Sequence, residues 1–391
     1  MPQTVPYWRL SAFYLSYLGL LGGFIPYWNL YLARELHFSP ALIGQLMALT
    51  LLPRLLAPGF WGRLADRSGR ALAVVRLGTF MLAGLWLALT FTTDYVLLAL
   101  LMLACTFFQN AVMAPFEAVT LAHLGPHRAY YGRIRLWGSL GFMAMVAGLG
   151  GLFDRLPLHW LPLILAGMAL AVWLVSLSVP EAPVTRTRAA AQPVWPLLRR
   201  PEVAAFLGAG CLLQMANAPY YAFYSLFLES RHYPHLAIGA LWALGMAAEV
   251  LAFTQLHRLL GRFGARPVLL AAMLLAAGRW WGIGLGADHA AALVAMQLLQ
   301  AASFAAVHAA SMQLVAQHFG EAHRGRGQAL YGLAWGVGTS LGAGAAGLAW
   351  NTLGGTAVFS LAAGVALTGW LWLWRATATT TARSGLTAEA A

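Results

Sequence analysis

Gly62-Arg63-Leu64-Ala65-Asp66-Arg67-Ser68-Gly69-Arg70 is the stretch on which the reading of the fold turns. It sets three arginines, one aspartate and two glycines between apolar runs over 41–61 and 71–93. Each run is long enough to cross a bilayer, for which about 20 apolar residues suffice. Glycine permits a tight reversal, and Asp66 can cap or pair at a helix end beside the arginines. A knot of cations in a short loop between two spans belongs on the cytoplasmic face of a membrane.

Working outward, further apolar segments lie near 9–33, 95–122, 134–153, 157–179, 202–228, 236–257, 267–286, 290–316, 327–350 and 354–375. With the first two they make twelve expected spans. Only 9% of the residues are charged, against about 25% in soluble domains, so an ordinary cytosolic protein is excluded. A net charge of +12 in a soluble chain would point to nucleic acid, but here most cations sit in short connections, where they set orientation instead. With a cytoplasmic N-terminus, seventeen arginines from Arg9 to Arg383 fall in inner loops and ends, and Arg34, Arg155 and Arg231 fall outside. Both termini are therefore expected in the cytoplasm. The run after Arg9 lacks an early small-residue cleavage site and reads as a retained first span. Cys105 and Cys211 have neither metal-ligand nor CxxC spacing and read as small core residues.

The only long internal stretch without a spanning run is Pro180 to Pro201, rich in Pro, Ala, Thr and Arg. It reads as a cytoplasmic linker over 180–201 joining an N-terminal bundle, 1–179, to a C-terminal bundle, 202–376, ahead of a disordered tail over 377–391. The halves resemble each other: Gly62-Arg63-Leu64 recurs as Gly261-Arg262-Phe263, and Leu136-Trp137-Gly138 as Leu330-Tyr331-Gly332. A duplicated six-span unit explains both, and parallel repeats of this kind place a site between the halves at mid-depth. The fold class is thus an all-α membrane protein of twelve helices in two pseudo-symmetric bundles. Gly332, Gly336, Gly338, Gly342, Gly344 and Gly347 form small-xxx-small patterns, which serve either static close packing or sliding.

The loop over 62–70 resembles the G-x-L-a-D-r-x-G-r signature of the major facilitator superfamily, with Gly62, Asp66, Arg67, Gly69 and Arg70 on its defining positions. Other segments resemble the lactose-permease-like branch, and most closely its phenylpropionate-permease group. They are Pro26-Tyr27-Trp28, Tyr131 to Ser139, Leu241 to Val250, Gln297-Leu298-Leu299-Gln300 and His308 to Met312. The resemblance implies a substrate role for Glu117 and Arg135, which stand at the spacing of the permease's binding pair. It implies a coupling role for Arg279 and, less firmly registered, for Glu249. The span-ten Lys, His and Glu of lactose permease fall here on Gln297, Gln300 and Ser303, so the acidic carrier is absent from its expected place. His308 matches a histidine of the phenylpropionate group and titrates near neutral pH when unperturbed.

Charges in mid-span cost about 2.5–3.5 kcal/mol each on translocon scales, which makes Arg54, Glu117, Arg135, Glu249, Arg279 and His308 functional candidates. Each has a plainer reading beside it. Glu117 with Arg135 either grips solute or forms a structural ion pair; Glu249 either carries a proton or pairs with Arg279; Arg54 either acts or snorkels; and His308 either carries a proton or is a neutral core side chain. Trp137, Tyr220 and Tyr221 supply aromatic walls that stack on a ring, or else simply pack. No HExxH, GxSxG or paired metal-carboxylate motif stands in a supporting context, so no enzyme, metal or cofactor is expected. The expectation is a monomeric symporter in a bacterial inner membrane, moving protons with a small organic solute, first of all an aromatic carboxylate. A sugar or nucleoside symporter, or an efflux antiporter of the same fold, is the alternative.

Overall fold

The structure, a computed structural model, describes residues 5–182 and 195–389, without side chains at 195, 321, 322, 324 and 377–389. No strand occurs among the described residues. In chain order the helices are α1 (Tyr7–Arg34), α2 (Pro40–Leu49), α3 (Leu51–Ser68), α4 (Ala71–Leu89), α5 (Tyr95–Gln109), α6 (Met113–Leu124), α7 (Tyr131–Phe153) and α8 (Leu161–Ser178). After the expected linker, of which 183–194 lie outside the described residues, come α9 (Trp195–Leu198), α10 (Pro201–Ser230), α11 (His235–Phe263), α12 (Ala265–Gly286), α13 (Ala290–Leu298), a π-helical segment (Ala301–Ala306) and α14 (Val307–Glu389).

Among the described residues, nine segments are long and apolar enough to cross a membrane. Two of them, Tyr95–Phe153 with 59 residues and Gly325–Ala376 with 52, are too long for one crossing. At 1.5 Å per residue the shorter would measure about 78 Å, more than twice a ~30 Å hydrocarbon core. The first is interrupted by the tight turn Gly125–Tyr130, the second by Gly354 at φ 78°, a left-handed conformation that suits glycine. Pro201–Ser230 is long enough but less apolar, since it carries Gln214, Asn217, Tyr220, Tyr221 and Tyr224. The last helix continues through 377–389, the stretch expected as a tail. Ala390 and Ala391 lie outside the described residues.

The chain divides into two compact units, Met1–Thr187 with Tyr221–Ala247, and Arg188–Tyr220 with Ala248–Ala391. In the first, α1 and α7 approach through glycines. A Cβ on Gly141 would overlap the Leu15 carbonyl, and one on Gly22 would lie 2.6 Å from that of Phe142. Helices α4 and α8 satisfy each other's ends: Arg76 donates to the carbonyls of Ser176, Leu177 and Val179, and Glu181 accepts from the Leu72 amide. Tyr221–Ala247 is fastened into this unit by polar contacts. The Asp154 carboxylate accepts from the His235 and Leu236 amides at 2.8 and 3.1 Å, capping α11 from the end of α7. The His235 ring stands 3.4 Å from Asp154 and 3.7 Å from Glu229, which also pairs with Arg34.

In the second unit, Gly338 and Gly342 of α14 lie directly on the backbone of α10 at Cys211 and Met215, so these two glycines of the small-residue series serve close packing. The partners repeat between the units, since α1 meets α7 as α10 meets α14. Trp137 of α7 reaches Tyr7 of α1, and its counterpart Tyr331 stacks on Phe206 of α10 at 5.7 Å. The loop over 62–70 works chiefly through Gly69, whose φ of 66° ends α3 while its N–H bonds to Ala65. Gly264, with φ 80° and ψ 163°, ends α11 in a different conformation open to glycine, its N–H bonded to the Leu260 carbonyl. Gly62 and Gly261 lie within helices in open space, so the reversal does not depend on them.

Candidate functional site

Two polar clusters lie within the helices, one in each unit. In the first unit a break separates α5 from α6, one turn before Glu117; Asn110 closes the end of α5 by donating from Nδ2 to the Thr106 carbonyl at 2.8 Å. Half-buried Glu117 accepts from the Tyr131 hydroxyl at 2.9 Å. Tyr14 gives its hydroxyl to Thr120 at 3.3 Å and presents its ring to the Arg135 guanidinium, 5.5 Å from the centroid. Tyr131 also meets Tyr14 edge-on at 6.5 Å. Glu117, Tyr131, Tyr14 and Arg135 thus form one group. No ion pair within 4.0 Å joins Glu117 to Arg135 among the described residues, so the guanidinium rests on an aromatic face with its N–H donors open to a further partner. Trp137 does not join them, because its Nε1 donates to the Tyr7 hydroxyl at 2.9 Å and its ring meets Trp8, two turns of α1 away from Tyr14.

The second unit holds the opposite arrangement. Arg279 is 1% exposed and its guanidinium is committed: Nε donates to the Met296 carbonyl at 2.9 Å, Nη1 to Ser303 Oγ at 2.9 Å and Nη2 to Gln297 Oε1 at 3.0 Å. The Tyr220 and Trp280 rings bracket it at 4.3 and 4.5 Å, and the Tyr220 hydroxyl donates to the same Gln297 oxygen. Glu249, 6% exposed, accepts from Gln300 Nε2. No ion pair within 4.0 Å links Glu249 to Arg279 among the described residues; Gln300 bonds the carboxylate and Gln297, one turn earlier, the guanidinium. The π-helical segment following Gln300 contains Ser303, consistent with the tendency of such bulges to occur at functional positions. Four buried atoms here have no hydrogen-bond partner: Gln297 Nε2, Gln300 Oε1, Asn217 Oδ1 and Trp280 Nε1. Unmet donors and acceptors at this depth are places for water or for polar atoms of a solute.

His308 stands apart from Glu249 and Arg279, in a slot between Phe304, stacked at 6.3 Å, and Trp335, edge-on at 6.4 Å. Tyr221 faces Trp242 at 6.1 Å within the first unit. Of the side chains that sequence reasoning passed over, Tyr131 carried a signal: it lies four residues before Arg135, on the same face of α7. Arg76 and the Asp154–His235 cap carried none, because their partners are backbone groups distant in the chain. No group of His, Cys, Asp or Glu among the described residues is arranged to hold a metal ion.

A family model described as "MFS_1 like family" matches residues 7–361. The chain belongs to this family of the major facilitator superfamily. It is 31% identical over 323 residues to the probable 3-phenylpropionic acid transporter of Escherichia coli (strain K12), covering 80% of this chain and 82% of that protein. It is 27% identical to the maltose permease of Geobacillus stearothermophilus, covering 68% of each. The solved nucleoside transporter NupG superposes with a TM-score of 0.85 at 17% identity, covering 95% of this chain and 98% of that one, which establishes the fold. This major facilitator protein is therefore a multi-pass membrane transporter of small solutes and not an enzyme.

Proposed function

We propose that the protein is a proton-coupled symporter of a bacterial inner membrane, carrying a small aromatic carboxylate such as 3-phenylpropionate by alternating access. The polypeptide crosses twelve times, as two six-helix halves over 1–179 and 202–376 with both termini cytoplasmic, and works as a monomer. The observation that carries the substrate class is Arg135, a half-buried guanidinium in a spanning helix with a tyrosine face beneath it and no carboxylate partner among the described residues. A carboxylate would supply the missing counter-charge, and Tyr14 and Tyr131 would flank a ring. Glu117, held by Tyr131, fixes the orientation of the group. Glu249 and Arg279, held by Gln300 and Gln297 respectively, are the coupling pair, and His308 is a further proton site. Gly69 at the turn, with Gly62, Asp66, Arg67 and Arg70 around it, forms the hinge of the signature loop.

The similarity to a probable 3-phenylpropionic acid transporter supports the same substrate. Uptake of labelled 3-phenylpropionate into vesicles under an imposed proton gradient tests the proposal: accumulation that collapses with an uncoupler is expected, and no gradient-driven accumulation would overturn it. A sugar or nucleoside is the second reading, favoured by the four unmet polar atoms around Gln297 and Gln300, which suit hydroxyls. Efflux by antiport, the third, would reverse the direction of gradient-driven movement.

A further inference from the structure

Arg54 belongs to neither cluster. It lies in the candidate span Pro40–Ser68, in the first turn of α3, four residues after Thr50 interrupts the span between α2 and α3. Among the described residues its side chain has no hydrogen-bond, ion-pair or aromatic partner. Leaving a guanidinium unpaired in hydrocarbon is unfavourable, so the surroundings must supply either water or an anion.

The exposure of the side chain separates two environments. A lipid-facing arginine has protein on one side and bends toward the interface. The Arg54 side chain is exposed to solvent although protein atoms are dense around it, which fits a group lining an internal aqueous space. The helix break agrees with this. Glu117 follows the break between α5 and α6, Ser303 lies in the π-helical segment, and Arg54 follows the break at Thr50, so each of these three lies within or one turn after an irregular stretch of its span. Irregular backbone at membrane depth is tolerated where it is buried in protein or lines a cavity.

Charge in the first unit adds the chemistry. Glu35, Asp94, Asp154, Glu181 and Glu229 lie at or beyond helix ends and Asp66 in the last turn of α3, which leaves Glu117 as the carboxylate in a helix interior, and Tyr131 holds it. Arg76 is spent on the carbonyls at the end of α8. With Arg63 assigned to the signature stretch over 62–70 at the end of α3, Arg54 and Arg135 remain, two guanidinium groups against one carboxylate. We propose that Arg54 is an anion-binding residue of the transport path, lining its aqueous space and selecting carboxylate-bearing solutes over neutral ones. The proposal deepens the carboxylate reading and rests on it.

Two measurements test it. On a Cys105→Ala, Cys211→Ala background, Arg54→Cys in proteoliposomes is treated with an anionic, membrane-impermeant methanethiosulfonate; modification within minutes is expected, and an unreactive thiol that denaturation exposes would overturn the proposal. In purified protein, binding of 3-phenylpropionate, glucuronate and benzoate is compared with that of 3-phenylpropionamide, glucose and benzamide for the wild type, Arg54→Gln and Arg54→Lys. Arg54→Gln should weaken the carboxylate that binds at least tenfold while changing the neutral analogue less than twofold, and Arg54→Lys should recover most of the loss. Equal loss for acid and neutral analogue, or none for the acid, would overturn the anion role. A wild type that binds glucuronate but not the aromatic acids would sink the aromatic reading alone and leave Arg54→Gln to decide the proposal; a wild type that binds no carboxylate would refute both.

Discussion

Each unit carries one carboxylate and one arginine at its polar cluster, and the two pairs are built for different tasks. Around Arg279 the guanidinium is sealed, bracketed by Tyr220 and Trp280 and hydrogen-bonded through Nε, Nη1 and Nη2. Around Arg135 it is half-buried on one tyrosine ring, with its donors unclaimed among the described residues. A charge whose every nitrogen is held by the protein serves architecture or an internal switch. A charge with donors to spare is available to a ligand. Residue type alone does not distinguish the two, and partner count does.

The contrast is most exposed to substitution at Arg279. Arg279→Ala removes a fully buried side chain, takes its donors from Ser303 Oγ and the Met296 carbonyl, and leaves Gln297 Oε1 with the Tyr220 hydroxyl alone. It should cost about 2–4 kcal/mol of stability, read as a lower unfolding temperature in detergent, because unmet buried groups and a cavity add together. Arg135→Ala should leave unfolding within about 1 kcal/mol of the wild type and weaken solute binding at least tenfold, the worth of one charge-assisted hydrogen bond of about 1.5–3 kcal/mol. If Arg135→Ala proved the more destabilising of the two, the assignment of open and sealed guanidinium groups would be inverted.

A finer test lies at Tyr131. Tyr131→Phe deletes the hydroxyl that holds Glu117 and keeps the ring that faces Tyr14. Binding should fall about three- to tenfold with little change in unfolding, in line with roughly 1 kcal/mol for one partly buried hydrogen bond. Unchanged affinity would show that Glu117 needs no anchor. The smallest expected effect is at the α7–α11 cap. Asp154→Ala removes the acceptor of two α11 amides, worth about 1 kcal/mol for a helix cap, and should raise the accessibility of cysteines placed near 235–239 about twofold to fivefold. No change would mean that the glycine contacts at Gly150 and Gly239 hold Tyr221–Ala247 in the first unit without the cap.

Much of the fold was legible because lipid imposes a simple rule on sequence, long apolar runs closed by arginine-rich turns, and the loop over 62–70 stated that rule compactly. The pairing of α1 with α7 and of α10 with α14 was partly legible too, since the glycine spacing at Gly338 and Gly342 announces a close helix contact. The placement of Tyr221–Ala247 in the first unit was not, because it depends on Asp154 meeting backbone amides far along the chain. Within the sites, spacing brought Glu117 and Arg135 to one cluster but could not show that Tyr131 and Tyr14 take the places of an ion pair. Nor could it show that Gln300 bonds Glu249 and Gln297 bonds Arg279, since an amide is equally at home as a donor or an acceptor.

The most direct test is equilibrium binding of 3-phenylpropionate to purified Arg135→Gln and Arg279→Gln proteins, both confirmed to be folded at the assay temperature. The account predicts at least a tenfold loss of affinity for Arg135→Gln and less than a threefold change for Arg279→Gln; the reverse order would contradict it.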